Sequence, residues 1–176
     1  MFQKLDITLP SIDIKKIQGN KLGGYVGDTI PDFREHVIRD VQYLSNLFDD
    51  VIKLTIPPTG ANVTVINKDG AIIPHTDVCA TALNFYLEVN GSEITTFYDN
   101  PSKHKIPQEE VPGLYFYDID QLQEIGNFTA NLYDCYLLDT HVPHAVSNQS
   151  NGSRVLLRFV WLDHDFNTIL KSIKIL

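Results

Sequence analysis

His75 and Asp77 stand two residues apart at the end of the apolar segment 72–77, just after a turn and just before another apolar run. If this segment is a strand, the side chains at positions i and i+2 point to the same face. An imidazole and a carboxylate that share a face can bind one metal ion once a third ligand arrives from elsewhere. The spacing therefore predicts two ligands of a metal site.

The third predicted ligand is His144, which lies near the end of the apolar stretch 137–146. His141 competes for this role, but His144 follows Pro143 and has Arg154 ten residues further on, at the start of another apolar strand. Two histidines and one aspartate would bind one face of an octahedral metal and leave three positions for a bidentate co-substrate and O₂. The planar fork of Arg154 would suit a distal carboxylate. His141 is then a surface residue or a neighbour of the ligands.

A predicted antiparallel barrel or sandwich must bring these residues together. Strands are predicted over 61–66, 72–77, 80–89 and 93–98, with turn signals at 67–70 and 90–91, and again over 114–117, 132–138 and 154–161. A long helix is predicted to begin at 29–32 and to pack outside the sheet, because apolar residues then recur with a period of about 3.6. These residues are Phe33, Val37, Ile38, Val41, Leu44, Phe48 and Val51. The glycine-rich stretch 21–27 is predicted to be a loop, and helical spacing returns over 166–173.

Composition narrows the class of protein. A chain of 176 residues that is 43% apolar suits one domain with a sizeable core. The net charge of −8 comes with scattered basic residues, which argues against general nucleic-acid binding. We expect no membrane partner, because no apolar run approaches the roughly 20 residues of a membrane span. Two cysteines and a start without signal-peptide character favour a cytoplasmic protein.

The set His75, Asp77, His144 and Arg154 resembles the Fe(II)/2-oxoglutarate-dependent dioxygenases. It is most similar to the small prolyl and aspartyl hydroxylase-like members of bacteria and phages. The contexts 84–87 and 143–148 look like the family too, and the resemblance covers roughly residues 60–162 of a single domain spanning 1–176. It implies a mainly β, double-stranded β-helix (a jelly-roll, cupin-like barrel).

By the same resemblance, His75, Asp77 and His144 would hold Fe(II), and Arg154 would bind the C5 carboxylate of 2-oxoglutarate. Asn84 and Tyr86 share a face of the following strand. They either donate hydrogen bonds to 2-oxoglutarate or are ordinary polar residues on the outer face. The reaction would consume O₂ and release succinate and CO₂.

Several alternatives stay open. The substrate is expected to be a peptide, an amino acid or another small molecule. A cupin-like metal-dependent enzyme without 2-oxoglutarate is an alternative, although such sites usually add histidines near the first pair. A non-catalytic jelly-roll binding module is another. Arg158 shares a strand face with Arg154, and it pairs with an acidic side chain, contacts the substrate or is an exposed charge. The polar stretch 99–111 is a substrate lid or plain surface, and the oligomeric state is open.

Overall fold

A computed structural model describes residues 1–7, 22–26, 33–38, 46, 48–67, 70–99, 105–107, 113–148 and 152–176. These residues form mostly strands. The strands are β1 (Phe2–Leu5), β2 (Leu22–Val26), β3 (Phe33–Ile38), β4 (Ile52–Leu54), β5 (Gly60–Ile66), β6 (Ala71–Thr76), β7 (Thr81–Glu88), β8 (Glu93–Tyr98), β9 (Lys105–Pro107), β10 (Tyr115–Tyr117), β11 (Glu124–Thr129), β12 (Cys135–Asp139), β13 (His144–Asn148), β14 (Arg154–Trp161) and β15 (Ile173–Ile175). Helix α1 spans Phe166–Ser172, and a short 3₁₀ turn spans Ile119–Gln121.

Two antiparallel sheets contain most of these strands. One has the order β1-β12-β7-β14-β5-β3-β2, and the other has the order β11-β8-β13-β6-β10-β9. Strands β4 and β15 form a separate pair. Strands β5 to β8 alternate between the two large sheets, β8 to β11 stay in the six-stranded one, and β11 to β14 alternate again. As a result, β12-β7-β14-β5 in one sheet correspond to β11-β8-β13-β6 in the other. This order is that of a double-stranded β-helix, and the predicted mainly β jelly roll is confirmed.

The predicted turns are the points where the chain changes sheet. Gly70 donates its backbone N–H to the carbonyl of Asn67 (3.0 Å) between β5 and β6, although residues 68 and 69 lie outside the described part. Gly91, between β7 and β8, has φ of +83°, a conformation that glycine adopts without steric penalty. Each turn therefore joins strands of different sheets rather than closing a hairpin within one.

The central strands β5, β7, β12 and β14 of the seven-stranded sheet have buried side chains on both faces, but with different chemistry. Its outer face packs an aromatic and aliphatic layer in which Phe85, Phe159 and Trp161 meet Phe48 and Ile169 of the covering segments. Its inner face, turned toward the other sheet, is partly apolar and also carries buried polar side chains. These polar residues are Asn62, Thr64, Asn84 and Arg154, with Thr95 facing them from β8. Buried polar groups need partners, so the space between the sheets is where a site is expected.

The prediction of a long N-terminal helix is wrong over Phe33–Ile38, which is β3 and pairs with both β2 and β5. A helical stripe of apolar residues does not exclude a strand when neighbouring strands offer backbone partners, because tertiary context overrides local preference. Residues 39–45 lie outside the described part. The loop predicted over 21–27 is also wrong at Leu22–Val26, which is β2.

Other segments agree better with expectation. The C-terminal helical spacing is confirmed by α1, whose N-terminus is capped by the Asp165 carboxylate accepting from the Thr168 N–H (2.9 Å). The stretch 99–111 includes β9 at a sheet edge, while 100–104 and 108–112 lie outside the described residues. Within the described part of the chain, no helix has the length and apolar character needed to cross a membrane.

Candidate metal centre

A β-bulge in β6 turns His75 into the space between the sheets. His144 of β13 pairs with His75, and Val146 pairs with Ile72, so two steps on β13 match three steps on β6. The extra residue changes the phase of the pleat, so Ile72 and His75 are both buried (6% and 7% exposed) while Ile73 between them is 58% exposed. Pro74 lies in this bulge, where its missing N–H is tolerated.

Asp77 directly follows β6 and is fixed by contacts with the end of β12. Its backbone N–H donates to the carbonyl of Thr140 (3.0 Å). The fully buried Thr140 hydroxyl donates in turn to the carbonyl of Cys79 (2.6 Å), and its N–H donates to the carbonyl of Ala80 (3.2 Å). The chain segment that carries the carboxylate is therefore held by backbone groups on both sides.

Backbone carbonyls orient both imidazoles. The Nδ1 atom of His75 lies 2.9 Å from the carbonyl oxygen of Ile73, and Nδ1 of His144 lies 3.0 Å from that of Val142. A carbonyl oxygen only accepts, so each Nδ1 carries the hydrogen and donates. In the neutral ring, Nε2 then keeps a free lone pair, which is the form that binds metals. Phe97 stacks on the His144 ring at 5.7 Å between centroids and supports this orientation.

The two Nε2 atoms and the Asp77 carboxylate converge. Nε2 of His75 is 3.3 Å from Oδ1 of Asp77, and Nε2 of His144 is 3.8 Å from Oδ2. One ligand atom from each residue lies within 4.8 Å of the others. These are three acceptor atoms with both ring hydrogens directed elsewhere, so a cation between them would satisfy all three. This donor set fits a divalent transition metal.

The charges of the site suit metal binding near neutral pH. Burial and the neighbouring His75 lower the pKa of His144 to about 4, so its imidazole is neutral at pH 7. Burial alone would raise the pKa of Asp77, but the Arg158 guanidinium outweighs it and holds this pKa well below its usual range. Asp77 is therefore ionised. Neither His144 nor Asp77 must lose a proton before binding a metal at pH 7.

Arg154 is 2% exposed and faces the same interior space. Its Nη2 donates to the hydroxyl of Tyr86 (3.0 Å) and to Oγ1 of Thr95 (2.9 Å), and its guanidinium carbon lies 4.9 Å from the centre of the Tyr86 ring. Its Nε and Nη1 are buried and have no hydrogen-bond partner in the part of the chain that the structure describes. Among the described residues, no carboxylate pairs with this guanidinium. It is a buried positive charge with two donor groups free for a ligand.

The remaining predicted site residues take different positions. Asn84 and Tyr86 are both buried on the inner face of β7, so they are not outer-face polar residues. The Asn84 Oδ1 atom has no hydrogen-bond partner within the described ranges, and the Tyr86 hydroxyl accepts from Arg154. The side chain of His141 is exposed and lies outside the cluster, whereas His144 joins it. Whether Asn84 and Tyr86 bind a co-substrate stays a prediction.

Two residues that contribute to this site were not identified from the sequence, and the role of a third was left open. Thr95 supports Arg154, and Thr140 holds the segment after β6. Arg158, whose role was open, contacts the carboxylate of Asp77. The alternation of side chains along a strand predicts that Arg158 faces inward with Arg154. It does not identify the acidic partner of Arg158. Thr95 and Thr140 carry no sequence signal that separates them from other strand threonines.

Comparison with known proteins gives a likeness of fold at low identity. No protein-family model matches the sequence, and no curated protein matches it. Similar solved structures include vicilin from Capsicum annuum (13% identity, TM-score 0.46, 80% of this chain and 30% of that one) and vicilin from Corylus avellana (13%, 0.47, 82% and 31%). Oxalate decarboxylase from Bacillus subtilis is another (10%, 0.45, 88% and 30%). The chain thus spans less than a third of the length of these proteins.

Proposed function

We propose that this chain is an Fe(II)- and 2-oxoglutarate-dependent dioxygenase that hydroxylates a peptide, an amino acid or another small substrate. The observation that carries the proposal is Arg154, a buried guanidinium with no acidic partner among the described residues, which shares the interior space with His75, Asp77 and His144. A metal site alone would not require such a charge. A metal site beside it suggests a ligand that binds the metal at one end and carries an anion at the other.

The physical chemistry of Arg154 favours a carboxylate ligand. Removing one unpaired charge from water costs several kcal/mol, which an anionic partner offsets. The guanidinium is held in place by Tyr86 and Thr95 through Nη2, which leaves Nε and Nη1 for the ligand. A carboxylate can accept a charge-assisted hydrogen bond from either of these two groups. Arg154 would therefore anchor the distal carboxylate of a small oxo-acid.

The register of the strands supports this role of Arg154. Thr95, which contacts the guanidinium, pairs with Val146, and Phe97 pairs with His144. Two residues of an antiparallel strand rise about 7 Å. The Arg154 guanidinium therefore lies about 7 Å along β8 from the level of His144. This distance is similar to the length of a five-carbon dicarboxylate. 2-Oxoglutarate fits this description, with its oxo-acid end toward the metal ligands.

Each part of the chain then has a defined task. His75, Asp77 and His144 hold the metal from one side, and Arg154, Tyr86 and Thr95 orient the co-substrate. When bound, Fe(II) and 2-oxoglutarate would supply the oxidising power for C–H hydroxylation with O₂, yielding succinate and CO₂. Phe97, packed on His144, helps to exclude water from the site.

The deciding experiment compares two oxo-acids on wild type and Arg154→Gln. Under anaerobic conditions with Fe(II), we expect 2-oxoglutarate to give a weak visible absorption band in the wild type. Arg154→Gln should weaken 2-oxoglutarate binding about 10- to 100-fold, since a charged hydrogen bond contributes roughly 1.5–3 kcal/mol. 2-Oxovalerate, which has the same chain length but no distal carboxylate, should bind both proteins equally.

Lys4→Gln provides the control, because Lys4 forms a surface ion pair with Asp134 (2.7 Å) outside the site. It should match the wild type for both oxo-acids. If the wild type binds the metal but does not prefer 2-oxoglutarate to 2-oxovalerate, the proposal is refuted in favour of a cupin-like metal enzyme without 2-oxoglutarate. If it binds no metal, a non-catalytic binding module is favoured.

A further inference from the structure

Arg158 lies four residues beyond Arg154 on β14 and contacts the metal-site carboxylate rather than the co-substrate anchor. Its Nη2 donates to Oδ2 of Asp77 and lies 3.7 Å from the sulfur of Cys79. The side chain is only 13% exposed, so this ion pair is largely shielded from water. A shielded, charge-assisted hydrogen bond is stronger than a surface ion pair. Arg158 is thus a fixed neighbour of one predicted ligand.

The two oxygens of Asp77 therefore have different surroundings. Oδ2 accepts from Arg158, and it also has the Cys79 thiol at 3.9 Å and Nε2 of His144 at 3.8 Å. Oδ1 lies 3.3 Å from Nε2 of His75. A carboxylate binds a metal through one oxygen or through both. An oxygen already engaged by a guanidinium is a poorer metal ligand, so Oδ1 is the one left for the metal.

We propose that Arg158 is a positioning residue that restricts Asp77 to coordination through one oxygen. The inference rests on the metal site of the proposed function. Two imidazoles and one carboxylate oxygen leave about three positions of an octahedral ion open, whereas a bidentate carboxylate leaves about two. A co-substrate that binds through two atoms, together with O₂, needs three. Arg158 would thus protect the third position without touching the metal or either substrate.

The test counts the exchangeable water molecules on Mn(II), added alone, by the water-proton relaxation of the loaded protein. Wild type should hold about three waters, and Arg158→Gln about two, because the released Oδ2 joins the metal. Arg158→Lys keeps a positive donor and should restore about three. Lys4→Gln, which breaks only the surface pair with Asp134, should also show about three.

Two results would overturn the role of Arg158. One is a count of about three waters in Arg158→Gln, even if its unfolding temperature falls, because the ion pair would then serve the fold only. The other is a count of about two waters in the wild type. This second result can be measured even if the variants do not fold. Failure of the wild type to bind Mn(II) would refute the metal site itself. That failure is distinct from Mn(II) binding with an unchanged water count.

Discussion

Asn148 ties together two chain connections that lie beside the candidate site, and its loss should measurably weaken the fold. Its side-chain Nδ2 donates to the carbonyls of Ile66 (3.1 Å), Asn67 (2.8 Å) and Gly152 (3.0 Å). Its backbone N–H donates to Gly70 (2.8 Å). One amide thus links the connection between β5 and β6 to the connection between β13 and β14. These connections precede the strands that carry His75 and Arg154.

The expected loss in Asn148→Ala follows from these contacts. The amide has two hydrogens, so it supplies about two full hydrogen bonds shared among three carbonyls. Each is worth roughly 1 kcal/mol net, and a buried carbonyl left without a donor costs about 1–3 kcal/mol more. Asn67 and Gly152 are only partly buried, so their carbonyls can turn to solvent, and we expect a loss of about 3 kcal/mol. That is a large share of the roughly 5–15 kcal/mol that stabilises a domain.

Urea unfolding of the metal-free proteins measures this loss, with Asn127→Ala as the matched control. Asn127 is exposed and donates its amide to Glu124 (2.6 Å), so the same truncation should cost no more than about 0.5 kcal/mol. Asn148→Asp should be at least as destabilising as Asn148→Ala, because it turns a carboxylate toward three carbonyl oxygens. A loss below about 1 kcal/mol in Asn148→Ala would refute this account of the connections.

Two other predictions concern acidity and a buried carboxylate. The folded pKa of His144, about 4, lies below its ordinary 6.5, so the unfolded chain takes up the proton first as the pH falls. The neutral His144 therefore stabilises the metal-free protein fully above pH 6.5, and this stabilisation declines by about 3 kcal/mol as the pH approaches 4. His144→Gln should lack that decline. If the unfolding free energies of both proteins, measured in urea, fell equally with pH, the prediction would be contradicted. Glu93→Gln should lose about 1–3 kcal/mol in urea unfolding, because both carboxylate oxygens accept from the N–H groups of residues 90–92 at 2.7–3.1 Å. The exposed Glu124→Gln serves as its control, and an equal loss there would contradict the assignment.

The candidate metal ligands were predictable because their chemistry is specific. His75 and His144 lie in otherwise apolar strands, Asp77 directly follows one, and the structure brings the three together. The jelly roll was predictable for a related reason, since short strands alternate with turn residues. The partners of Arg158 and Arg154 were not, because contacts across strands depend on the pairing of segments that are distant in sequence.

The helix prediction failed for a different physical reason. Over 33–38 the apolar spacing fits a helical stripe, but the segment lies between β2 and β5 and its backbone completes the ladder of the seven-stranded sheet. The pattern of side chains in one segment contains no information about the backbone partners that other segments offer. The same limit explains the loop wrongly predicted at Leu22–Val26.

The bulge in β6 has a consequence for how this site is inherited. Ile72 and His75 are three residues apart, and both point inward only because the bulge absorbs the extra residue. Deleting Ile73 or Pro74 would leave them two residues apart, so a regular strand would keep both on the inner face. The residue count and the bulge must therefore change together. A relative with one residue fewer here could keep the site on a regular strand, whereas one with this count and no bulge would turn His75 outward.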